Sequence, residues 1–526
     1  MATVGEDLVA HLCARGVDTV FGIPGVHTIA LYRGLAGSGI RHVSPRHEQA
    51  AGFMADGFAR ASGRPGVAFV ITGPGVTNTL TPMGQARADS VPILVISGVN
   101  TRASLGLGLG HLHELPDQLG LVGQVALEAF RIEQPDEVVP VVDRAMRRLA
   151  VDRPGPVHIE LPLDLAREPA QAPSGDGVAT QAAPERPKPT PSKLADAVAM
   201  LAGASRPLIL IGGGARHSRV VELAERLDAP VVQTVNARGA MFGHPLGVPA
   251  SPSLHAVREL MAQADVVLAL GTEFGPTDYD MFGRDPEYVP PCLIRVDICP
   301  EQLARREATL RIQGDAASVV EALLPMLGQG ACEGAGRAQA ARQAGWEEVG
   351  PKVRGEVAIL NAIRDAMPGA FFIGDSTQPV YAGNLWYDHD RPGGWFNAAT
   401  GFGALGYAIP AAIGAAVAVP DAPVVCICGD GGAQFSLPEL MTARDENLPI
   451  TFVIWNNHGY GEIAQSMRDA GVEVIGCDPT PPEFGAIATA CGMPFASVPA
   501  EPAAVEQAFA GWAGVSGPRL LEIRAG

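Results

Sequence analysis

The chain has 526 residues, with 38 basic against 56 acidic side chains and a formal net charge of −18. That balance argues against a nucleic acid or an anionic membrane surface as partner. Hydrophobic residues make up 47%, aromatics only 6%, and there are 63 glycines and 45 prolines, as in a large Ala/Gly-rich α/β enzyme of several domains.

Eight cysteines without short regular spacing imply a reducing compartment rather than a disulfide framework. The start, Met-Ala-Thr-Val-Gly-Glu-Asp, has no basic-then-apolar leader, so no signal peptide is expected. The longest apolar stretch, Ala404 to Pro420, is interrupted by Gly406, Pro410 and Gly414 and reads as a buried helix, not a membrane span. The expected address is the cytoplasm.

Taken in order, residues 1–165 alternate helical and strand patterns. Gly5 to Arg15 and the small-residue stretch Glu48 to Ser62 read as helices. Thr19 to Phe21, Gly66 to Thr72, Pro92 to Ser97 and Pro156 to Leu161 read as strands of a parallel sheet. Residues 166–191, rich in Pro, Ala and Gly, read as a linker. A second unit, 192–327, has strand candidates at Arg206 to Gly214, Pro230 to Thr234, Ala264 to Gly271 and Cys292 to Asp297. Its glycine cluster Gly212-Gly213-Gly214 lacks GxGxxG spacing, because position 217 is His, and is a weak dinucleotide signal. Residues 328–349 read as a second linker. The third unit, 350–526, repeats the βα rhythm of the first.

The third unit carries the most specific motif, Gly429-Asp430-Gly431 followed after twenty-four residues by Asn456-Asn457. Pro423 to Cys428 and Ile450 to Trp455 read as buried strands, with a crossover helix at Ser436 to Glu446 and Pro438 in its first turn. Cys426 and Cys428 share one strand face, which favours core packing over metal binding. Parallel strands joined this way put both carboxyl ends on one sheet edge, where open α/β sheets bind ligands. Asp430 and Asn457 there offer hard oxygen ligands suited to Mg²⁺ carrying a diphosphate, and the glycines permit close backbone approach.

The segment resembles the cofactor signature of thiamine diphosphate (ThDP) enzymes of the acetohydroxyacid synthase and benzoylformate decarboxylase group. The resemblance implies three doubly wound parallel-sheet α/β domains: pyrimidine-binding, middle, and diphosphate-binding. Asp430, Asn457 and the carbonyl of Gly459 would hold the metal, with Gly431, Gly432, Tyr460 and Gly461 around the diphosphate. Thr377 and Gln378, in Asp375-Ser376-Thr377-Gln378, would line the same side. In Thr400 to Tyr407, Gly403 would accept from the cofactor's amine and Leu405 would be the wedge beneath it.

Glu48 falls in the first turn of its helix, where a carboxylate is stabilised by the helix dipole, and alone it reads as a capping acid. By the resemblance it becomes the acid that activates the aminopyrimidine ring, while Ile71 to Asn78, with Gly73 and Asn78, lines that ring. Glu48 and Asp430 lie in different units, and in this family such sites form between subunits. A homodimer is therefore the minimum expected assembly and a homotetramer the usual one. The middle domain binds FAD or ADP in some members; here an unoccupied structural domain is expected.

Three further residues bear on chemistry. Glu462 follows the metal loop where acetohydroxyacid synthases usually carry Met, and could face substrate or solvent. His113, in His111-Leu112-His113-Glu114, is a candidate proton donor or a structural loop histidine. His27 is similarly placed, without an assigned role. The likeness is strongest to members that decarboxylate a guanidino-bearing 2-oxo acid, through Phe21 to Thr28, Leu31 to Leu35, the Glu48 helix, Thr277 to Asp280 and Asn456 to Ile463. Asp278, Asp280 and Glu462 would then be candidate partners for the guanidinium, since a desolvated cation needs carboxylates. The activity implied is Mg²⁺/ThDP-dependent decarboxylation of a small-molecule 2-oxo acid. The alternative is a carboligase that makes an acetohydroxy acid or acyloin. A catalytically silent subunit fits poorly, because Glu48, Asp430 and Asn457 are all present.

Overall fold

Short β-branched and apolar runs, each followed by a helix, build three sheets in the computed structural model, which describes residues 2–170, 185–281, 283, 288, 290–512 and 514–525. Strands β1 (Thr19–Gly22), β2 (Arg41–Val43), β3 (Gly66–Val70), β4 (Ile93–Val99), β5 (Glu128–Arg131) and β6 (Pro156–Pro162) pair in the order β2-β1-β3-β4-β6-β5. The middle sheet contains β7 (Pro207–Ile211), β8 (Val231–Gln233), β9 (Gly247–Val248), β10 (Val266–Leu270), β11 (Leu293–Asp297) and β12 (Leu310–Gln313). Its order, β12-β11-β10-β7-β8-β9, is the doubly wound arrangement whose crossovers leave from a central strand.

The third sheet comprises β13 (Phe371–Gly374), β14 (Trp395–Asn397), β15 (Val424–Gly429), β16 (Ile450–Asn456), β17 (Phe495–Pro499) and β18 (Arg519–Arg524). Its order, β14-β13-β15-β16-β18-β17, repeats that of the first sheet strand for strand. All paired strands of the three sheets run parallel. Cys426 and Cys428 are both fully buried in one apolar cluster, as their shared strand face requires.

The first and third units share that cluster. Helix Glu48–Ser62 supplies Phe53, Met54 and Phe58 to it, and helix Ala408–Ala418 supplies Ile409 and Ile413. The helices approach at two glycines. A Cβ on Gly57 would lie 1.9 Å from the carbonyl oxygen of Ala411, and one on Gly414 would lie 1.9 Å from that of Met54. Beside this crossing, Arg60 donates to Asp56 and Asp89 at 2.7 Å each and to Asn236 at 3.3 Å. Asp56 also accepts from the Tyr407 hydroxyl at 2.6 Å, and Asp89 from Thr400 Oγ1 at 2.7 Å. One buried guanidinium therefore ties residues from all three units together.

The connections differ in character. Of 166–191, positions 171–184 lie outside the described residues. The stretch 328–349 is mostly an ordered helix, Gly334–Glu348. Its Glu348 carboxylate accepts from His255 N at 2.8 Å and Ala256 N at 2.9 Å at the start of helix His255–Ala262. Trp346 packs against Trp386 with ring centroids 4.6 Å apart, so this connection braces the middle unit against the third.

Candidate active site

Strand β15 ends at Gly429, and Asp430–Ala433 turns at once into a short helix, with helix Glu439–Asp445 following. The crossover helix thus starts three residues later than its pattern suggests, with Pro438 as its cap. Asp430 is 1% exposed, and burial raises its carboxyl above the usual range. Its Oδ1 accepts from Asn457 N at 3.4 Å, whereas Oδ2 is buried without a partner among the described residues.

The Asn457 side-chain oxygen lies 2.7 Å from Gly459 O and 3.1 Å from Asp430 Oδ1. Three oxygens facing one another need either the amide turned, so that Nδ2 donates to both, or a cation among them. Carboxylate, amide and carbonyl oxygens are the donor set that a hard divalent ion takes. The buried, unpartnered Asp430 Oδ2 fits the same demand, so these residues suit Mg²⁺.

Backbone geometry opens this cradle. Gly459 has φ +152°, and a Cβ there would lie 2.3 Å from Cys477 O. His458, just before it, sits at φ +61°, a costly conformation for a side chain that functional loops often hold. The first Asn of the pair serves the turn rather than the cradle. Asn456 donates to Glu522 at 2.7 Å and accepts from His458 N at 3.2 Å, closing the loop onto β18. A Cβ on Gly431 would lie 2.5 Å from the Tyr460 ring, and one on Gly461 2.9 Å from Asn457 Nδ2.

Next to the cradle, Thr377 caps helix Gln378–Leu385. Gln378 accepts from Trp455 Nε1 at 3.0 Å and Asn457 Nδ2 at 3.1 Å, and donates to Glu462 at 2.9 Å. Glu462 thus reaches Asn457 through one amide. Asp375, 1% exposed, accepts from Ser376 N at 2.8 Å and Gly406 N at 2.9 Å, and burial pushes its carboxyl up to about 6. Those bonds shape the loop in which Gly403 sits at φ +75° and Leu405 faces Gly432.

On the first unit, half-buried Glu48 opens its helix and accepts from Asn78 Nδ2 at 3.0 Å. Gly73, at φ +63°, starts helix Pro74–Asp89 and presses against His113, whose carbonyl oxygen would be 2.5 Å from a Cβ there. Buried Gln118, unforeseen because a lone Gln has no sequence signature, accepts from Thr72 Oγ1 at 2.6 Å and Gly73 N at 3.1 Å. His113 itself has φ +61° and packs on His27, ring centroids 5.2 Å apart, and both Nδ1 atoms are buried without partners among the described residues. Burial first, then His113, holds the His27 imidazole below its usual range.

The candidate residues fall into two groups, one on the first unit and one on the third. Among the described residues, no hydrogen bond, ion pair or ring contact joins Glu48, Gly73, Asn78 or His113 to the Asp430 side. The linkage lies behind Glu48, where Arg46 N donates to Glu439 at 2.9 Å and Arg46 pairs with Asp445. Two candidates for a guanidinium partner, Asp278 and Asp280, lie in the middle unit, where Thr277 beside them donates to Thr400 O at 2.7 Å. Asp278 accepts from Val235 N at 3.0 Å and lines a cavity of about 370 Å³ between the first and middle units, with Gly212 to Gly214 and Arg216. Asp280 pairs with Arg258 at 3.3 Å. A charge on a loop says nothing of its partner until the fold supplies one.

The three units match the family descriptions "Thiamine pyrophosphate enzyme, N-terminal TPP binding domain" over residues 2–121, "central domain" over 194–323 and "C-terminal TPP binding domain" over 375–523. A probable 2-ketoarginine decarboxylase, AruI, of Pseudomonas aeruginosa is 41% identical over 99% of this chain and 94% of its own length. The acetolactate synthase isozyme 3 large subunit of Escherichia coli is 31% identical over 88% of this chain and 84% of its own. An acetolactate synthase large subunit of Mycobacterium tuberculosis is 30% identical over 88% and 77%.

Proposed function

Because the chain belongs to the thiamine diphosphate-dependent 2-oxo acid decarboxylase family, we propose that it removes CO₂ non-oxidatively from a 2-oxo acid with a cationic side chain, 5-guanidino-2-oxopentanoate foremost, leaving an aldehyde. The observation that carries the reading is the oxygen set of Asp430, Asn457 and Gly459, with Glu462 joined to it through Gln378. A carboxylate at this exit suits a cationic substrate, and the relative that is 41% identical bears the name of such a decarboxylase.

Asp430, Asn457 and the Gly459 carbonyl would hold Mg²⁺ and through it the diphosphate, with Gly431, Gly432, Thr377, Gln378, Tyr460 and Gly461 around them. Bound thiamine diphosphate supplies the nucleophilic carbon and electron sink that loss of CO₂ from a 2-oxo acid requires. Gly403 would accept from the cofactor's amine, Leu405 would support the cofactor from below, and Gly73 and Asn78 would border the ring. Asn78 orients the Glu48 carboxyl, which holds the proton that activates the ring. His113 delivers a proton to the reacting carbon, and Glu462 faces the substrate.

The two half sites meet between copies of the chain, in a homodimer at least and a homotetramer as the fuller assembly. Exposed Val26, Ile29, Leu107, Leu109 and Leu112 on the first unit, and Phe402 and Phe435 on the third, support such a cover. All eight cysteines are free, which supports a cytoplasmic, reducing location.

A panel of 2-oxo acids including 2-ketoarginine and pyruvate, with CO₂ and product detection, tests the reading. An aldehyde from 2-ketoarginine is the expected product. Acetolactate from pyruvate alone would overturn it in favour of a carboligase. Glu48→Gln is expected to abolish turnover with ThDP still bound, and unchanged turnover would refute the role of Glu48.

A further inference from the structure

Gln118 opens the short helix Gln118–Gly123 and is 2% exposed, yet both polar atoms of its side chain are fully engaged. Its Oε1 takes the Thr72 hydroxyl and the N–H of Gly73, just past the end of β3. Its Nε2 donates to Ser97 Oγ and Gly98 O on β4, at 3.2 Å each, and to Glu160 Oε2 on β6 at 2.9 Å. These three strands are neighbours in the first sheet. One amide therefore spans three carboxyl ends at the edge where parallel sheets place their sites. None of the roles assigned above uses it.

The amide has one orientation. Glu160 is fully buried and pairs with Arg131 at 2.5 Å, and a carboxylate only accepts. Turned over, Gln118 would set its oxygen against Glu160 and Gly98 O, and its N–H groups against Gly73 N. Thr72 and Ser97 are fully buried as well, so a lost partner here is not replaced by water.

The two backbone points that this amide holds are the two on which the histidine pair rests. A Cβ on Gly73 would lie 2.5 Å from His113 O, and one on Gly98 would lie 2.4 Å from His27 O. The two rings pack on each other at 5.2 Å and 35°. At so close an approach, in a stiff interior, a shift of either glycine passes to the histidine against it.

Resting on the reading of His113 as the group that delivers a proton, we infer that Gln118 is a positioning residue for the His27–His113 pair, held in one orientation by Glu160. It acts through Gly73 and Gly98. Decarboxylation breaks a carbon–carbon bond and leaves the bonding pair at the reacting carbon, which must take a proton before the aldehyde departs. Misplaced histidines slow that second event more than the first.

The test follows CO₂ and aldehyde separately in the holoenzyme, with the best substrate of the 2-oxo acid panel. Gln118→Met is expected to slow aldehyde release about tenfold or more and first-turnover CO₂ release less than about threefold, so that a burst of CO₂ precedes the steady state. Gln118→Glu sets a second carboxylate against Glu160 and should slow aldehyde release at least as much. Adding Glu160→Gln to it again puts a donor opposite an acceptor and should recover about threefold or more. Hydrogen exchange in Gln118→Met should quicken over residues 72–75 and 110–118 and stay as in the wild type over 408–418.

Equal slowing of CO₂ and aldehyde, or no recovery in the exchanged pair, would mark a role in packing alone and overturn the positioning. Unchanged exchange over 72–75 and 110–118 would overturn it while leaving the decarboxylase reading standing. Quickened exchange there, with no CO₂ released from any 2-oxo acid by the wild type, would keep the placement and remove that reading.

Discussion

Replacing Gly57 by alanine sets two effects of known sign against each other. In a helix interior the change is worth up to about 1 kcal/mol in favour of the folded state. The new methyl, however, would lie 1.9 Å from the Ala411 carbonyl oxygen, where a carbon and an oxygen need roughly 3.3 Å. The obstacle is helix backbone, so no rotamer change relieves it, and the helices must part by roughly 1.4 Å. A gap well below that size already forfeits a quarter to a half of each contact energy along the seam. Overpacking of this kind costs about 1–3 kcal/mol, so the net effect is a destabilisation of roughly 1–2 kcal/mol. Gly414→Ala meets the Met54 carbonyl oxygen at the same 1.9 Å and should behave alike. Both variants would be followed by thermal unfolding and by hydrogen exchange over residues 50–60 and 408–418, where protection should fall. Once one methyl has parted the helices the second adds little, so the double variant should fall short of additivity. A raised melting temperature in either single variant would mean that propensity wins and would refute the reasoning.

Arg60→Met leaves Asp56 and Asp89 buried without their cation. A loss of about 3–5 kcal/mol is expected, visible as a lower unfolding midpoint, and Asp56→Asn in the same chain should recover part of it. Asp430→Asn keeps the shape of the loop but removes its charge; retention of Mg²⁺ and ThDP on gel filtration should fall together. His158 is fully buried with Nε2 3.0 Å from Ser97 Oγ, and burial pushes its imidazole down from 6.5 to about 3. Between those values the unfolded chain binds a proton that the folded chain does not. This contribution is therefore complete above pH 6.5 and is lost as pH falls, by up to about 1.4 kcal/mol per pH unit. His158→Gln should flatten the fall in stability between pH 6.5 and 5, measured by denaturant titration.

Much of the frame could be read from residue order because its signals are local. The helix at Glu48 to Ser62 and the strands around Asp430 and Asn457 follow from runs of small or β-branched residues bounded by turns. Gly334–Glu348 was illegible as an ordered brace because its alanines and glycines carry almost no amphipathic pattern. Partners are harder still. The charge of Asp278 and Asp280 does not announce the hydrogen bond from Val235 N or the ion pair with Arg258. Arg60, likewise, is an ordinary helix arginine until Asp89 and Asn236 come beside it.

The crossing at Gly57 and Gly414 also follows a rule of exchange. Each glycine meets the carbonyl three residues before the other: Gly57 meets Ala411, and Gly414 meets Met54. Contacts of the form i-with-j and j-with-i define an isologous interface, normally the mark of two identical subunits about a twofold axis. Here both partners lie in one chain, on sheets of the same strand order. A pseudo-twofold axis therefore passes between the two glycines and relates the first unit to the third. The segments entering these helices, one ending at Glu48 and the other carrying Gly403 and Leu405, are then equivalent places in two copies of one fold. The two copies keep a common seam while their sequences have diverged.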